Sequence, residues 1–145
     1  MSSGNSGAKR VLIVDDSADD RRLVAACLRS VSDVEAEEAA DGWSALRMII
    51  TREPDLIVLD MNLPALSGYL TARMVRAWGG RFATLPILAL TAAVEPDAHA
   101  RCLRAGASDY MAKPLVDPAT LRAKVCGALA RASEAAITGR IDQGP

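Results

Sequence analysis

Long apolar runs, histidine, aromatic side chains and an excess of one charge are all scarce in this chain, and each scarcity closes off a class of function. No apolar stretch approaches the ~20 residues needed to cross a bilayer. The polar opening from Met1 to Gly7 lacks the basic-then-apolar order of a signal peptide, so a cytoplasmic protein without a membrane partner is expected. Lys and Arg number 17 against 18 Asp and Glu, a formal net charge of -1, which argues against nucleic acid as a direct partner. The lone histidine, His99, is read as a solvent-facing residue on the fourth helix and not as a phosphohistidine. Cys27, Cys102 and Cys126 are odd in number and far apart, so they suggest neither a disulfide framework nor a zinc spacing. Each falls in an apolar helical pattern and reads as a buried thiol. Trp43 and Trp78, at helix positions, read as core or rim packing.

What is present is enough for one core: 145 residues, half of them apolar. Residues 1–9, rich in Ser and Gly, read as a disordered leader. Residues 10–131 read as one domain, and 132–145 as a tail or an extension of the last helix. Unbroken apolar runs at Val11 to Val14, Leu56 to Leu59 and Ile87 to Leu90 suit parallel strands covered on both faces. Asp33 to Glu38 is a weaker, edge-like candidate, and Ser108 to Ala112 is short.

Between these runs, apolar residues recur at helical spacing. The stripes are Leu23, Cys27, Leu28 and Val31; Leu46, Ile49 and Ile50; and Leu70, Met74, Val75 and Trp78. A fourth helix from about Pro96 to Ala105 carries Ala98, Cys102 and Leu103, and a fifth carries Leu121, Val125 and Leu129. Ser17 with Asp20 forms a capping-box pattern, Pro96 and Pro118 suit first helical turns, and Gly106 suits a helix stop. Five alternations of strand and helix predict a doubly wound, five-stranded parallel α/β sheet.

In such sheets ligands bind beyond the carboxyl ends of the strands. The residues expected there are unusually polar: Asp15 and Asp16 after the first strand, Asp60 after the third, Thr91 after the fourth and Lys113 after the fifth. Three converging carboxylates repel one another, and a hard divalent cation such as magnesium, which takes one or two carboxylates and phosphate oxygens, is the economical compensation. Lys113 and Thr91 supply an ammonium and a hydroxyl suited to the outer oxygens of a phosphoryl group. Asp60 is then the natural nucleophile, forming an aspartyl phosphate. Taken singly, each residue has a plainer reading: Asp15 and Asp16 could cap a helix, Asp60 could belong to a turn, Thr91 could end a strand, and Lys113 could be a solvated charge.

Together, Asp15-Asp16, Asp60-Met61-Asn62-Leu63-Pro64 with Gly68, Thr91-Ala92 and Lys113-Pro114 resemble the response-regulator receiver family of two-component signalling, over roughly Arg10 to Arg131. The resemblance implies a flavodoxin-like (βα)5 fold with strand order 2-1-3-4-5. It implies magnesium held by the side chains of Asp16 and Asp60, the backbone carbonyl of Asn62 and, through water, Asp15. By the same likeness Lys113 contacts Asp60 or its phosphate, Thr91 moves toward the phosphate, Tyr110 is the aromatic switch residue, and the Lys113-Pro114 bond is cis.

A histidine kinase or histidine phosphotransfer protein would be the donor. A downstream protein or a second copy would bind the face made by the fourth helix, fifth strand and fifth helix. Phosphorylation and dephosphorylation of the domain would be self-catalysed, with no separate enzymatic activity. Three alternatives compete with this phosphorelay reading. A magnesium-dependent phosphohydrolase of the haloacid-dehalogenase kind needs a second acid two residues after its nucleophile, and Asp15 is followed by Asp16 and Ser17. A phosphorylation-independent pseudo-receiver usually lacks the acids or the lysine that this chain keeps. A dinucleotide site needs a Gly-rich first turn, absent from Asp15-Asp16-Ser17-Ala18.

Overall fold

The computed structural model describes residues 7–92, 96–115 and 117–142, with side chains to residue 135. In chain order the elements are β1 (Lys9–Val14), α1 (Ala18–Leu28), β2 (Val34–Ala39), α2 (Gly42–Arg52), β3 (Leu56–Asp60), α3 (Gly68–Ala77), a 3-10 turn at Gly80–Ala83, β4 (Ile87–Thr91), α4 (Ala98–Ala105), β5 (Asp109–Ala112) and α5 (Pro118–Asp142). All strand pairs are parallel and the order is β2-β1-β3-β4-β5, the flavodoxin-like arrangement expected. The first strand begins at Lys9, one residue before the expected Arg10, and α5 runs on to Asp142, through most of the segment expected as a tail or helix extension. The rest of the expected leader, residues 1–6, lies outside the described residues.

Strict alternation along the strands divides the core in two. Val11, Ile13, Val58, Leu88 and Leu90 face α1 and α5, meeting Val24, Cys27, Leu28, Leu121, Val125 and Leu129. Leu12, Val14, Ile57, Leu59, Ile87 and Ala89 face α2, α3 and α4. The buried strands β3 and β4 are apolar on both sides because helices cover both. The glutamates of β2 fall on a sheet edge, where their carboxylates can reach water or an arginine.

The buried helix faces differ from the expected stripes. Leu23, Ile50, Leu70 and Leu103 are exposed, while Val24 replaces Leu23 and small residues such as Ala45, Thr71, Ala72, Ala98 and Ala105 point inward. Helices resting closely on a sheet seat small side chains at the line of closest approach, and a reading weighted toward large apolar residues rotates each stripe by about one position. For the same reason Trp43 is 56% exposed at the start of α2, so the expectation of packing fails there. Trp78 caps α3 and meets Phe82 edge to face at 5.1 Å, a rim contact. Cys126 is exposed, contrary to expectation, because the inward face of α5 runs through Leu121, Val125 and Leu129; Cys27 and Cys102 are buried.

The Ser17 side chain caps α1 through the Asp20 N–H, and Gly106 ends α4 in the left-handed region at φ 117°, both as expected. Pro96 precedes the first turn of α4 instead of occupying it, since the helix begins at Ala98 after an Asp97 whose side chain makes no capping bond. Pro118 opens α5.

The turn that follows β3 leaves no room for a side chain at Gly68. The Gly68 N–H donates to the Met61 carbonyl at 3.1 Å, and a Cβ on Gly68 would collide with the Asp60 carbonyl oxygen and lie 2.5 Å from the Met61 Cα. Glycine is needed here for space. Gly68→Ala is expected to destabilise the fold by about 1 to 3 kcal/mol through overpacking against backbone. Gly127→Ala, inside α5 and facing only the movable end of Arg131, is expected to stabilise it by about 0.5 to 1 kcal/mol through helix propensity. Urea unfolding of the two variants beside the parent checks both signs.

Candidate functional site

Each strand delivers one component of the site as it leaves the sheet. Asp15 follows β1, its N–H donating to the Ala39 carbonyl at 3.1 Å, which continues the ladder one residue beyond β1. Its carboxylate is buried and accepts the Ser17 N–H at 2.9 Å, while Asp16 beside it is exposed. Asp60 is the last residue of β3, only 3% exposed, and its Oδ1 accepts the Asn62 N–H at 2.9 Å. The Met61 N–H donates to the Leu90 carbonyl at 2.9 Å, so the turn carrying Asp60 is tied to β4. Thr91 ends β4, buried, and its carbonyl accepts the Lys113 N–H at 2.9 Å just past β5.

Carboxylate oxygens of Asp15, Asp16 and Asp60 all lie within 4.8 Å of one another, an arrangement able to hold a metal ion. The donors are all hard oxygens, which fits magnesium and not zinc or copper. Lys113 closes the cluster: its Nζ is 2.9 Å from Asp15 Oδ2, 2.8 Å from Asp20 Oδ2 and 3.5 Å from Asp60 Oδ2. The Lys113-Pro114 peptide is cis.

Burial, with Asp15 and Asp16 adding repulsion, pushes the Asp60 carboxyl above the usual carboxylate range, against the opposing Asn62 N–H and Lys113 charge. For Lys113, burial disfavours the charge, but hydrogen bonds to Asp20 and Asp15 and the charge of Asp60 outweigh it and hold the ammonium well above its ordinary value.

Of the residues singled out from the sequence, Asp15, Asp16, Asp60 and Lys113 therefore converge. Thr91 stands at the same strand ends, and Asn62 meets Asp60 through its backbone N–H, its side chain being exposed. Tyr110 lies farther out on β5, half-buried, and stacks on His99 with ring centroids 3.8 Å apart. His99 is exposed as expected, but this stack gives it a partner that its sequence position does not reveal.

Two participants were missed. Asp20 was read only for its capping-box position, yet one helical turn beyond Asp16 its side chain reaches Lys113; that i to i+4 spacing was the available signal. Tyr69, directly after Gly68, buries its hydroxyl beside Thr91 and Cys102 without a well-formed hydrogen bond. Nothing in the sequence marks it except adjacency to the tight turn.

The sequence profile of the response regulator receiver domain matches residues 11–126. The phosphate regulon transcriptional regulatory protein PhoB of Pseudomonas aeruginosa is 38% identical over 123 residues, which is 85% of this chain and 52% of that protein. Protein-glutamate methylesterase/protein-glutamine glutaminase 1 of Myxococcus xanthus is 33% identical over 111 residues, 76% of this chain and 31% of that protein. The chain thus spans between about a third and about a half of these curated relatives. Among solved structures, a response regulator from Chloroflexus aurantiacus J-10-fl aligns with a TM-score of 0.78 at 36% identity, covering 85% of this chain and 98% of that one. The chemotaxis response regulator CheY4 of Vibrio cholerae aligns with a TM-score of 0.75 at 31% identity, covering 83% and 98%. A receiver profile spanning most of the chain, on a sheet that carries its acids and its lysine to one end, makes this protein a member of the response-regulator receiver family.

Proposed function

We propose that the domain is a phosphoacceptor switch: Asp60 takes a phosphoryl group from a phosphohistidine on a histidine kinase or histidine phosphotransfer protein and later loses it to water. The observation that carries this reading is the arrangement around Lys113, one ammonium set among Asp15, Asp20 and Asp60 beside a nucleophile that is almost wholly buried. In the transfer step Asp60 contributes a carboxylate oxygen that bonds to phosphorus while the phosphorus–nitrogen bond of the donor breaks, its electron pair staying on the imidazole. Lys113 stands where it can pair with the outer phosphoryl oxygens, and Thr91 offers a hydroxyl from the end of β4.

Magnesium would be held by the side chains of Asp16 and Asp60 and the carbonyl of Asn62, with Asp15 acting through water. When bound it supplies neutralisation of charge shared between carboxylate and phosphoryl oxygens. The charge balance supports that fit: Asp15, Asp16, Asp20 and Asp60 face one lysine, and Asp60 resists ionisation in this company. The domain by itself acts as acceptor and partner-binding module, with self-catalysed gain and loss of phosphate. Its output surface is the face made by α4, β5 and α5, where Tyr110 meets His99. A downstream protein or a second copy is the expected partner there.

Incubation with acetyl phosphate and magnesium is expected to add one base-labile phosphate by intact mass in the parent, and none in Asp60→Asn. Equal labelling of the variant rejects the acceptor assignment.

The charge repulsion gives a second expectation. Because the folded state holds the Asp60 proton more tightly than the unfolded chain, stability falls as pH rises from the ordinary carboxylate value through that of folded Asp60. Lys113 is shifted in the same sense, but its window lies above the ordinary ammonium value, so it stays charged throughout the carboxylate range and its contribution persists there. In metal-free buffer at neutral pH, Asp60→Asn is expected to be more stable than the parent by about 1 kcal/mol or more, with the gap closing as the pH drops below the carboxylate range. Saturating magnesium is expected to raise the Tm of the parent by more than that of Asp60→Asn. Thermal unfolding at several pH values with chelator or magnesium reads all three.

A further inference from the structure

One long stretch of this chain is free of acids while its helices carry arginine. From Met61 to Val94 the sequence holds no Asp or Glu, and α4 holds none either. The helices α3 and α4 carry Arg73, Arg76, Arg101 and Arg104. Arg76 is occupied structurally, donating to the carbonyls of Gly106, Phe82 and Leu85 at 2.7 to 2.9 Å. The other three line a cleft of about 390 Å³ between α3 and α4 together with Tyr69 and Ala105. Arg101 lies over the Tyr69 ring, 4.4 Å from its centroid. Arg73 and Arg104 are exposed and make no ion pair among the described residues.

We propose that this cleft docks an acidic segment of a partner protein, whose carboxylates pair with Arg73 and Arg104. Guanidinium forks on two facing helices suit side-chain carboxylates presented along an extended segment. A nucleotide fits less well, since the aromatic ring of the cleft already carries Arg101 and a base has no other ring to stack on. The cleft is also connected to the phosphoacceptor end. The Tyr69 ring is in the cleft while its hydroxyl is buried beside Thr91, so a segment that displaces Arg101 or Tyr69 is felt at Thr91. Docking itself needs no phosphate on Asp60; only the coupling to Thr91 rests on the role proposed for that residue above.

The test is fluorescence anisotropy of a fluorescein-labelled polyglutamate peptide titrated with the parent, with Arg73→Ala/Arg104→Ala and with Arg22→Ala, at low and high salt. Saturable binding that salt weakens, that falls about tenfold in the double variant and that is unchanged in Arg22→Ala supports the site. Absence of binding to the parent, or equal affinity in the double variant, overturns it. Displacement by inorganic phosphate as effective as by unlabelled peptide reassigns the cleft to a phosphate-bearing ligand and overturns the peptide reading. For the coupling, peptide addition is expected to shift the Thr91 amide resonance in the parent and not in Tyr69→Phe. Intact binding with a silent Thr91 in the parent overturns the coupling alone. Because none of these readouts uses phosphorylation, loss of acetyl phosphate labelling and loss of peptide binding are separable failures.

Discussion

A single ammonium holds three carboxylates at the carboxyl end of the sheet, and much of the architecture follows from the need to bring it there. Lys113 reaches Asp15, Asp20 and Asp60 from a strand on the far side of β4, and it does so because its N–H continues the β4 to β5 ladder through the Thr91 carbonyl. Asp15 and Asp60 arrive from adjacent strands whose register pairs Val14 with Leu59. Parallel pairing therefore does the convergence: it points every strand's exit at the same end, which an antiparallel sheet would alternate between two. The residual repulsion is left unrelieved by protein groups, and Asp60 carries it as a raised affinity for a proton. A site left in that condition is receptive to cations, and the same imbalance that weakens the fold is what gives a metal ion something to stabilise.

The sequence was legible wherever one physical requirement overrode the rest. Buried strands such as Val11 to Val14 and Leu56 to Leu59 must be apolar on both faces, and they stand out as unbroken runs. The residue after such a run is at the sheet's end whatever the loops do, so Asp15, Asp60, Thr91 and Lys113 could be placed together before any coordinates. Helix faces were less legible because α2, α3 and α4 approach the sheet through Ala45, Ala72 and Ala105, whose small side chains give little periodic signal. Side chains that reach between elements were least legible. Asp20 joins Lys113 across 93 positions of chain, and the His99 to Tyr110 stack joins α4 to β5; both depend on rotamer and helix placement that no local pattern encodes.

Among the helices, α4 differs in how it is held. The helices α1, α2 and α3 each begin with a side-chain cap, from Ser17, Asp41 and Ser67, whereas Asp97 before α4 makes none, and at eight residues α4 is the shortest. A missing cap typically costs a helix ~1 kcal/mol, and short helices gain little from propensity, so α4 depends on its tertiary contacts more than its neighbours do. Those contacts are the buried Ala98, Cys102 and Ala105 and two tyrosines on different elements: Tyr110 of β5 stacked on His99, and Tyr69 of α3 beneath Arg101 and beside Cys102. Tyr69 also adjoins Thr91, the residue that ends β4 at the acidic end of the sheet. A rearrangement at Thr91 would therefore reach the helix that lacks a side-chain cap, through a side chain whose buried hydroxyl lies beside Thr91. Moving α1 or α2 instead would break a capping bond and expose core leucines or isoleucines. The low-cost route from the site to the surface runs through Tyr69 and α4, which is the physical reason to look for both partner surfaces, the α4, β5, α5 face and the arginine cleft, on the two sides of this one helix.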